Sequence, residues 1–485
     1  MRRHRAVMVL AGAAVVWCAA ASAAIAAPAS SWHTAIEVPG SAGLNKGGGA
    51  NIYSVSCASA GNCAAGGFYT LAGGDTEALV AGEANGTWGQ AIEVPGTAAL
   101  NQGPPNESFA AVYSVSCPSA GNCAAGGSYT DRSNHVQAFV ASERNGAWGQ
   151  AIEVPGTGGK HGLNHGPAAG VQSVSCGSAG NCVAGGYYTD SSQHLQAFAV
   201  SERDGTWGQA IEVPGTAALN VDGAAGAESV SCASAGNCAI GGSYTDRANH
   251  VQAFVASEKN GTWGSAIEVP GTAALNRDGA ASVESVSCPS AGDCVAGGHY
   301  FDSSDRGQAF VASESHGTWR TATEVPGSGH LNTAGRAGVD SVSCASAGNC
   351  AAGGFYYNGG VREQAFVVSE KNGTWGSAIE VPGTAKLNQG ASAQVDSVSC
   401  GSAGNCAAAG SYSLSQGPLH PQAFVVSETK GTWGRAIKIP GLAKLNQGEA
   451  AETESVSCPS AGRCAAGGYY GQTQTVAEAF VASES

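Results

Sequence analysis

The chain has 485 residues with 22 basic and 36 acidic side chains, a formal charge of −14. That balance argues against nucleic acid or an anionic membrane surface as a partner, because both repel an acidic protein. It fits a soluble extracellular protein, and the Ala- and Gly-heavy composition hints at a bacterial source.

Residues 1–26 read as an export signal. MRRHR is a positively charged start, an apolar run follows, and Ala24-Ile25-Ala26 offers small residues at −3 and −1 before Ala27-Pro28. Arg2-Arg3 lacks the rest of a twin-arginine motif. Cys18 follows Trp17, where a lipoprotein signal wants a small residue. No later stretch is apolar enough to span a bilayer. Removing the leader takes away Arg2, Arg3 and Arg5 and no acidic residue, leaving 19 basic against 36 acidic residues, a formal charge of −17.

From residue 27 onward the sequence repeats itself. SVSC recurs with its cysteine at Cys57, Cys117, Cys176, Cys232, Cys288, Cys344, Cys400 and Cys458, at intervals of 60, 59, 56, 56, 56, 56 and 58. Each copy continues through a second Cys, a Gly-Gly-x-Tyr, QAFV-x-SE, GTWG, IEVPG and LN. Each unit reads as four short strands bounded by Gly, Asn and Pro, for example ESVSC, CVAGGHY, QAFVASE and WGSAIEVP, with no helical periodicity. In the fourth strand Trp263, Ile267 and Val269 are expected on one face and Glu268 on the other. The closing proline suits an edge, so this strand is expected to be outermost.

Four-stranded units repeated radially make an all-β propeller. A parallel β-helix is the rival, but its coils are about half this length. The ends decide between them. Eight copies of the first three strands finish at Glu484, seven fourth strands lie between them, and the eighth is the N-terminal segment Trp32–Pro39. A closed ring uses such a half-repeat as its clasp. The expected architecture is therefore one domain, 27–485, with eight blades of about 56 residues and the N-terminal strand completing the last.

Sixteen cysteines remain after the leader. They are expected to bond within units as Cys57/Cys63, Cys117/Cys123, Cys176/Cys182, Cys232/Cys238, Cys288/Cys294, Cys344/Cys350, Cys400/Cys406 and Cys458/Cys464. Metal binding is the alternative, but zinc sites bring two closely spaced pairs together. Each bridge is expected to close the turn between strands one and two, and each short ring contributes roughly 2 kcal/mol by loop entropy.

Propeller geometry puts the first-to-second and third-to-fourth turns on one face and the remaining loops on the other. All length changes fall on that second face: TAALNQGPPNESFAAVY, TGGKHGLNHGPAAGVQ and SLSQGPLHP. Loops on a rigid scaffold carry function. A tyrosine leads into the second-to-third loop of every unit, and in units two to five an aspartate follows. The ligand-binding candidates are thus Tyr129, Asp131, Tyr188, Asp190, Tyr244, Asp246, Tyr300 and Asp302. An aromatic ring beside a carboxylate holds sugars by stacking and hydrogen bonding. Strand-end packing and a turn-forming Asp are the alternative. His161 and His165, with His135 nearby, leave a loop metal site open. The glutamate pairs such as Glu258 and Glu268 recur in nearly every unit, whereas a catalytic site breaks symmetry. The NGT sequences at Asn85, Asn260 and Asn372 read as tight hairpin turns.

SEKNGTWG resembles the Asp-box hairpin of sialidase-type propellers, with its acidic and aromatic positions shifted relative to Gly. SVSCPSAGNC resembles uncharacterised exported repeat proteins of actinobacteria. Both resemblances imply fold rather than activity. The arginines Arg132, Arg247 and Arg306 are scattered and match no sialidase set. The expected function is non-catalytic, multivalent recognition of carbohydrate or cell-wall polymer by a secreted monomer without cofactor or metal. An extracellular protein-interaction scaffold and a glycan hydrolase or lyase are the alternatives.

Overall fold

The computed structural model describes residues 31–485 apart from 160, 222, 278, 361, 391 and 415–419. The leader and most of the SLSQGPLHP loop lie outside the described residues. Each repeat forms one antiparallel sheet, and eight such sheets make an eight-bladed propeller. In blade four the first three strands are Gly226–Ser234, Asn237–Thr245 and Val251–Lys259. Phe254 and Val255 of the third strand are fully buried between neighbouring sheets.

The eighth blade combines Ala451–Ser460, Arg463–Gly471 and Ala477–Ser483 with the N-terminal Ile36–Glu37. Ile36 lies opposite Val481, Glu37 opposite Phe480, and Trp32 bridges Glu484. The half-repeat is the clasp that the sequence implied. Among the described residues no helix is long and apolar enough to cross a membrane.

All eight expected disulfides are formed: Cys57–Cys63, Cys117–Cys123, Cys176–Cys182, Cys232–Cys238, Cys288–Cys294, Cys344–Cys350, Cys400–Cys406 and Cys458–Cys464. Each closes the turn between a first and a second strand, with Cα atoms 3.9–4.1 Å apart. They point to an oxidising compartment. Closing the turn is one of two jobs they do. The second cysteine of every pair, Cys63, Cys123, Cys182, Cys238, Cys294, Cys350, Cys406 and Cys464, is buried, and each belongs to one of the eight core clusters. The cause is the two-residue period of the second strand, which puts Cys63 on the same inward face as Ala65 and Tyr69. The bridges therefore fill the joints between blades as well as closing turns.

The fourth strand departs from its expected alternation. It is split into Thr262–Trp263 and Ile267–Glu268, pairing Trp263 with Glu258 and Ile267 with Val255. Gly264, Ser265 and Ala266 therefore oppose only Ser257 and Ala256, and parity is lost. Ile267 is 43% exposed while Ala266 and Val269 are buried. A second departure follows the IEVPG glycine. In seven units its φ lies between 78° and 97°, and the next four residues form a single helical turn, such as Thr97–Leu100. One turn is too short to register as periodicity.

Two belts of hydrogen bonds close the ring. The innermost strand of each blade has no further strand to pair with, so its edge N–H groups need other acceptors. The two serines of SVSC supply them for the next blade. Ser229 Oγ accepts from Val286 N at 2.9 Å and Ser231 Oγ from Cys288 N at 2.9 Å. The same pair recurs at every joint, sixteen bonds of 2.8–3.0 Å, including Ser455 and Ser457 onto Val55 and Cys57 across the closure. On the outer rim the proline carbonyl of each fourth strand accepts from the next, as in Ala322 N to Pro270 O at 2.7 Å and Ala35 N to Pro440 O at 2.7 Å.

The Gly-Gly of each second strand has a steric cause. The first strand bulges between Val112 and Ser114, leaving Tyr113 as the extra residue. The bulge drives the Ala111 carbonyl onto Gly127, where a Cβ would sit 1.8 Å away. Every blade repeats this bulge, so the residue before SVSC is the extra one each time.

Candidate binding sites

The Tyr–Asp pairs take a structural place. Tyr129, Tyr188, Tyr244 and Tyr300 are each 3% exposed, so no ring face is open for stacking. Their hydroxyls donate to the glutamate of the same blade's fourth strand: Glu153 at 3.2 Å, Glu212 at 3.0 Å, Glu268 at 3.4 Å and Glu324 at 3.4 Å. Burial, with the adjacent carboxylate, pushes these phenols above their usual range. In blade seven Lys438 replaces that glutamate, and the Tyr412 hydroxyl is left without a partner.

The aspartates tie their own loops. Asp131 Oδ1 accepts from Ser133 N at 2.8 Å and His135 N at 3.0 Å, while Oδ2 accepts from Gln137 Nε2 at 3.0 Å. Asp190, Asp246 and Asp302 repeat the arrangement. Partial burial opposes ionisation, but these donors outweigh it and hold the four carboxyls below their usual range. These contacts are those of the packing and turn alternative. Among the described residues no three His, Cys, Asp or Glu side chains gather as a metal site, His135, His161 and His165 included.

The clefts open on the opposite face, where the two kinds of hairpin meet; Gly261 N donates to Gly236 O at 2.8 Å there. A cleft of about 800 Å³ lies between blades four and five. Ser257, Lys259, Thr262 and Ile267 line one side, Thr318 and Trp319 the other. The equivalent cleft between blades two and three, about 450 Å³, is lined by Ser142, Arg144, Ala147 and Ile152 against Thr206 and Trp207. These are the same repeat positions.

Each cleft is backed by a fixed tryptophan, and Trp319 keeps 8% of its surface exposed. Trp319 Nε1 donates to Ser257 Oγ at 3.0 Å, and Ser257 donates to Glu314 Oε1 at 2.7 Å. Trp207, Ser142 and Glu202 form the same relay at 3.0 and 2.7 Å, and Trp433, Ser369 and Glu428 another at 2.9 and 2.6 Å. Trp32, Ser427 and Glu484 carry it to the seam at 3.4 and 2.8 Å. Burial raises the Glu202, Glu314 and Glu428 carboxyls, against the hydroxyl that each accepts from. Arg144 reaches across to the Gly205 carbonyl and lies 3.9 Å from Glu202. An isoleucine on the rim, Ile152 or Ile267, is 41–43% exposed.

Sequence reasoning missed these clefts because their residues are the constant ones. VASE and GTWG recur almost unchanged, and constancy within a chain reads as scaffold. The signal available was an exposed isoleucine, visible only once the fourth strand is known to break.

No protein-family model matches the chain, and no curated protein sequence matches it. Among solved structures it is similar to a sialidase from Trypanosoma rangeli, at 12% identity and a TM-score of 0.39, covering 94% of this chain and 59% of that one. It is similar to the fucose-specific lectin from Aleuria aurantia at 14% identity and 0.32, covering 68% and 96%. The β-propeller domain of the trilobed protease from Pyrococcus furiosus gives 7% and 0.39, covering 74% and 91%. At these values the likeness is one of architecture alone.

Proposed function

We propose that this protein is a multivalent, secreted glycan-binding propeller whose sugar sites are the clefts between blades on the hairpin face. The observation that carries the reading is recurrence: the same lining, indole, isoleucine, hydroxyls and a basic or polar rim, opens at two separate joints. A rigid aromatic wall with a few convergent polar groups suits a small polar ring with an apolar face. The indole nitrogen is already satisfied within the protein, so the ring is held in place before any ligand arrives. Several equivalent weak sites gain avidity on a polymer without any one being strong.

The test is a glycan and polysaccharide screen of the mature, oxidised protein, with calorimetric stoichiometry for each hit. The expected result is more than one equivalent site per chain. Ile267→Glu, on the exposed rim, is expected to remove the site between blades four and five without affecting melting. A single site, or binding indifferent to Ile152 and Ile267 substitutions, would overturn the assignment. Capture of a protein ligand by the inserted loops would favour a scaffold instead.

A further inference from the structure

The bulge residue before each SVSC sits on the innermost strand of its blade, the strand that lines the central channel, and its chemistry changes around the ring. In blades one and two it is Tyr53 and Tyr113, with ring centroids 5.9 Å apart and Phe68 5.5 Å from Tyr53. Gln172 follows in blade three. From blade four onward the position is acidic: Glu228, Glu284, Asp340, Asp396 and Glu454. The neighbours interact in sequence, Glu228 with Glu284, Asp340 with Glu284, and Asp396 with Asp340 and Glu454. Glu454 in turn acts on Tyr53, which joins the acidic arc to the aromatic pair. Near-identical blades thus present a mouth that is aromatic on one side and acidic on the other.

Few positive groups face this arc. His299 Nδ1 lies 3.3 Å from Glu284 Oε1, and Arg336 sits over Tyr357 at 5.7 Å. Glu452 adds a further carboxyl beside Tyr469 and Glu454. Burial first, then the adjoining carboxylates, raises Asp340 and Asp396 well above the usual range. A second observation is independent of the charges. Asn51 is 8% exposed, its Nδ2 donates to Glu454 Oε1 at 3.1 Å, and its Oδ1 has no partner. Turning the amide over would set two oxygens against each other, so its orientation is fixed. An unsatisfied acceptor at this depth calls for a donor.

Acceptors and aromatic rings predominate, and together they select a cation with hydrogen-bond donors and an apolar body. We propose that the channel mouth binds an organic ammonium group, set between Asn51, Asp396 and Glu454, with the body of its carrier against Tyr53, Phe68 and Tyr113. This site is separate from the clefts and does not depend on them. The same ammonium chemistry is offered by a deacetylated amino-sugar and by a linear polyamine.

The experiment is calorimetric titration of the mature, oxidised protein at low salt with three probes: a fully deacetylated chito-oligosaccharide, its N-acetylated counterpart, and spermidine. At least one amine is expected to bind at this site with one equivalent per chain, and the N-acetylated sugar is not. Binding of only one amine identifies the carrier. Asp340→Asn/Asp396→Asn is expected to weaken binding at least tenfold while melting no lower than the parent, because it removes mutually repelling carboxylates. Tyr53→Leu, which keeps every charge, is expected to weaken it about threefold. Ile267→Glu is expected to leave this site unchanged. Failure of both amines to bind, or affinity in the double variant within twofold of the parent, overturns the proposal.

Discussion

Glu77 and Glu478 stand where the other six units carry glutamine. In blades two to five that glutamine donates to the loop aspartate, an acceptor that blades one and eight lack at Leu71 and Gln472. Each glutamate accepts from an asparagine, Asn101 or Asn45, at 3.0 Å through Oε1; Glu77 Oε2 has no partner, and Ser41 lies beside the Glu478 carboxyl. Burial, abetted by neighbouring carboxylates, raises both carboxyls to about 7 from 4.5. The folded state therefore binds these protons more tightly than the unfolded chain. The stability this contributes is fully present below about pH 4.5 and is lost as pH rises through about 7. Thermal melting is expected to be higher at pH 5 than at pH 8. Glu77→Gln/Glu478→Gln is expected to reduce that difference, to which Asp340 and Asp396 also contribute, and to raise the melting point at pH 8. An unchanged pH profile in the double variant would remove these two groups from the account.

At the scale of the element, the first strand of each blade does two jobs with alternate residues. Val230 packs in the core while Ser229 and Ser231 satisfy the next blade's edge. Substituting Ser229→Ala/Ser231→Ala leaves Val286 N and Cys288 N without their acceptors, at about 1 kcal/mol each. Hydrogen exchange is the direct readout, since a tenfold change corresponds to about 1.4 kcal/mol. Those two amides are expected to exchange roughly fivefold to tenfold faster, with distant blades unaffected. Equal rates in parent and variant would mean that the belt does not hold the joint.

For the whole molecule, stability depends on closure. The clasp contributes the Ile36 and Glu37 pairing, the outer bond from Ala35 N to Pro440 O at 2.7 Å, and the Trp32 relay. Deleting residues 31–39 leaves the third strand of blade eight, Ala477–Ser483, as a bare edge. The truncated protein is expected to melt several degrees lower and to form dimers or larger species by edge pairing, visible by size-exclusion chromatography with light scattering. An unaltered melting point and a monomeric profile would show that the sixteen inner bonds suffice to close the ring.

Repetition alone carried the architecture: the recurrence of SVSC, the four strand-like segments and the divided repeat require a ring of eight, and the cysteine spacing requires local bridges. Such features are legible because they depend on neighbours along the chain. That the second cysteine of each bridge sits in the core was not legible, because the blade that covers it lies a whole repeat away. Chemistry at the joints is hidden for the same reason, since each cleft joins residues more than fifty positions apart, such as Ser257 and Glu314, which only a closed ring brings together. The tyrosines looked like ligands because their partners, the fourth-strand glutamates, become neighbours only when the sheet forms. The channel mouth was visible as a run of varying residues before SVSC, Tyr, Tyr, Gln, Glu, Glu, Asp, Asp and Glu. Its meaning came from the bulge that turns that one position inward in every blade, and from the closure that sets the acidic arc opposite the aromatic one.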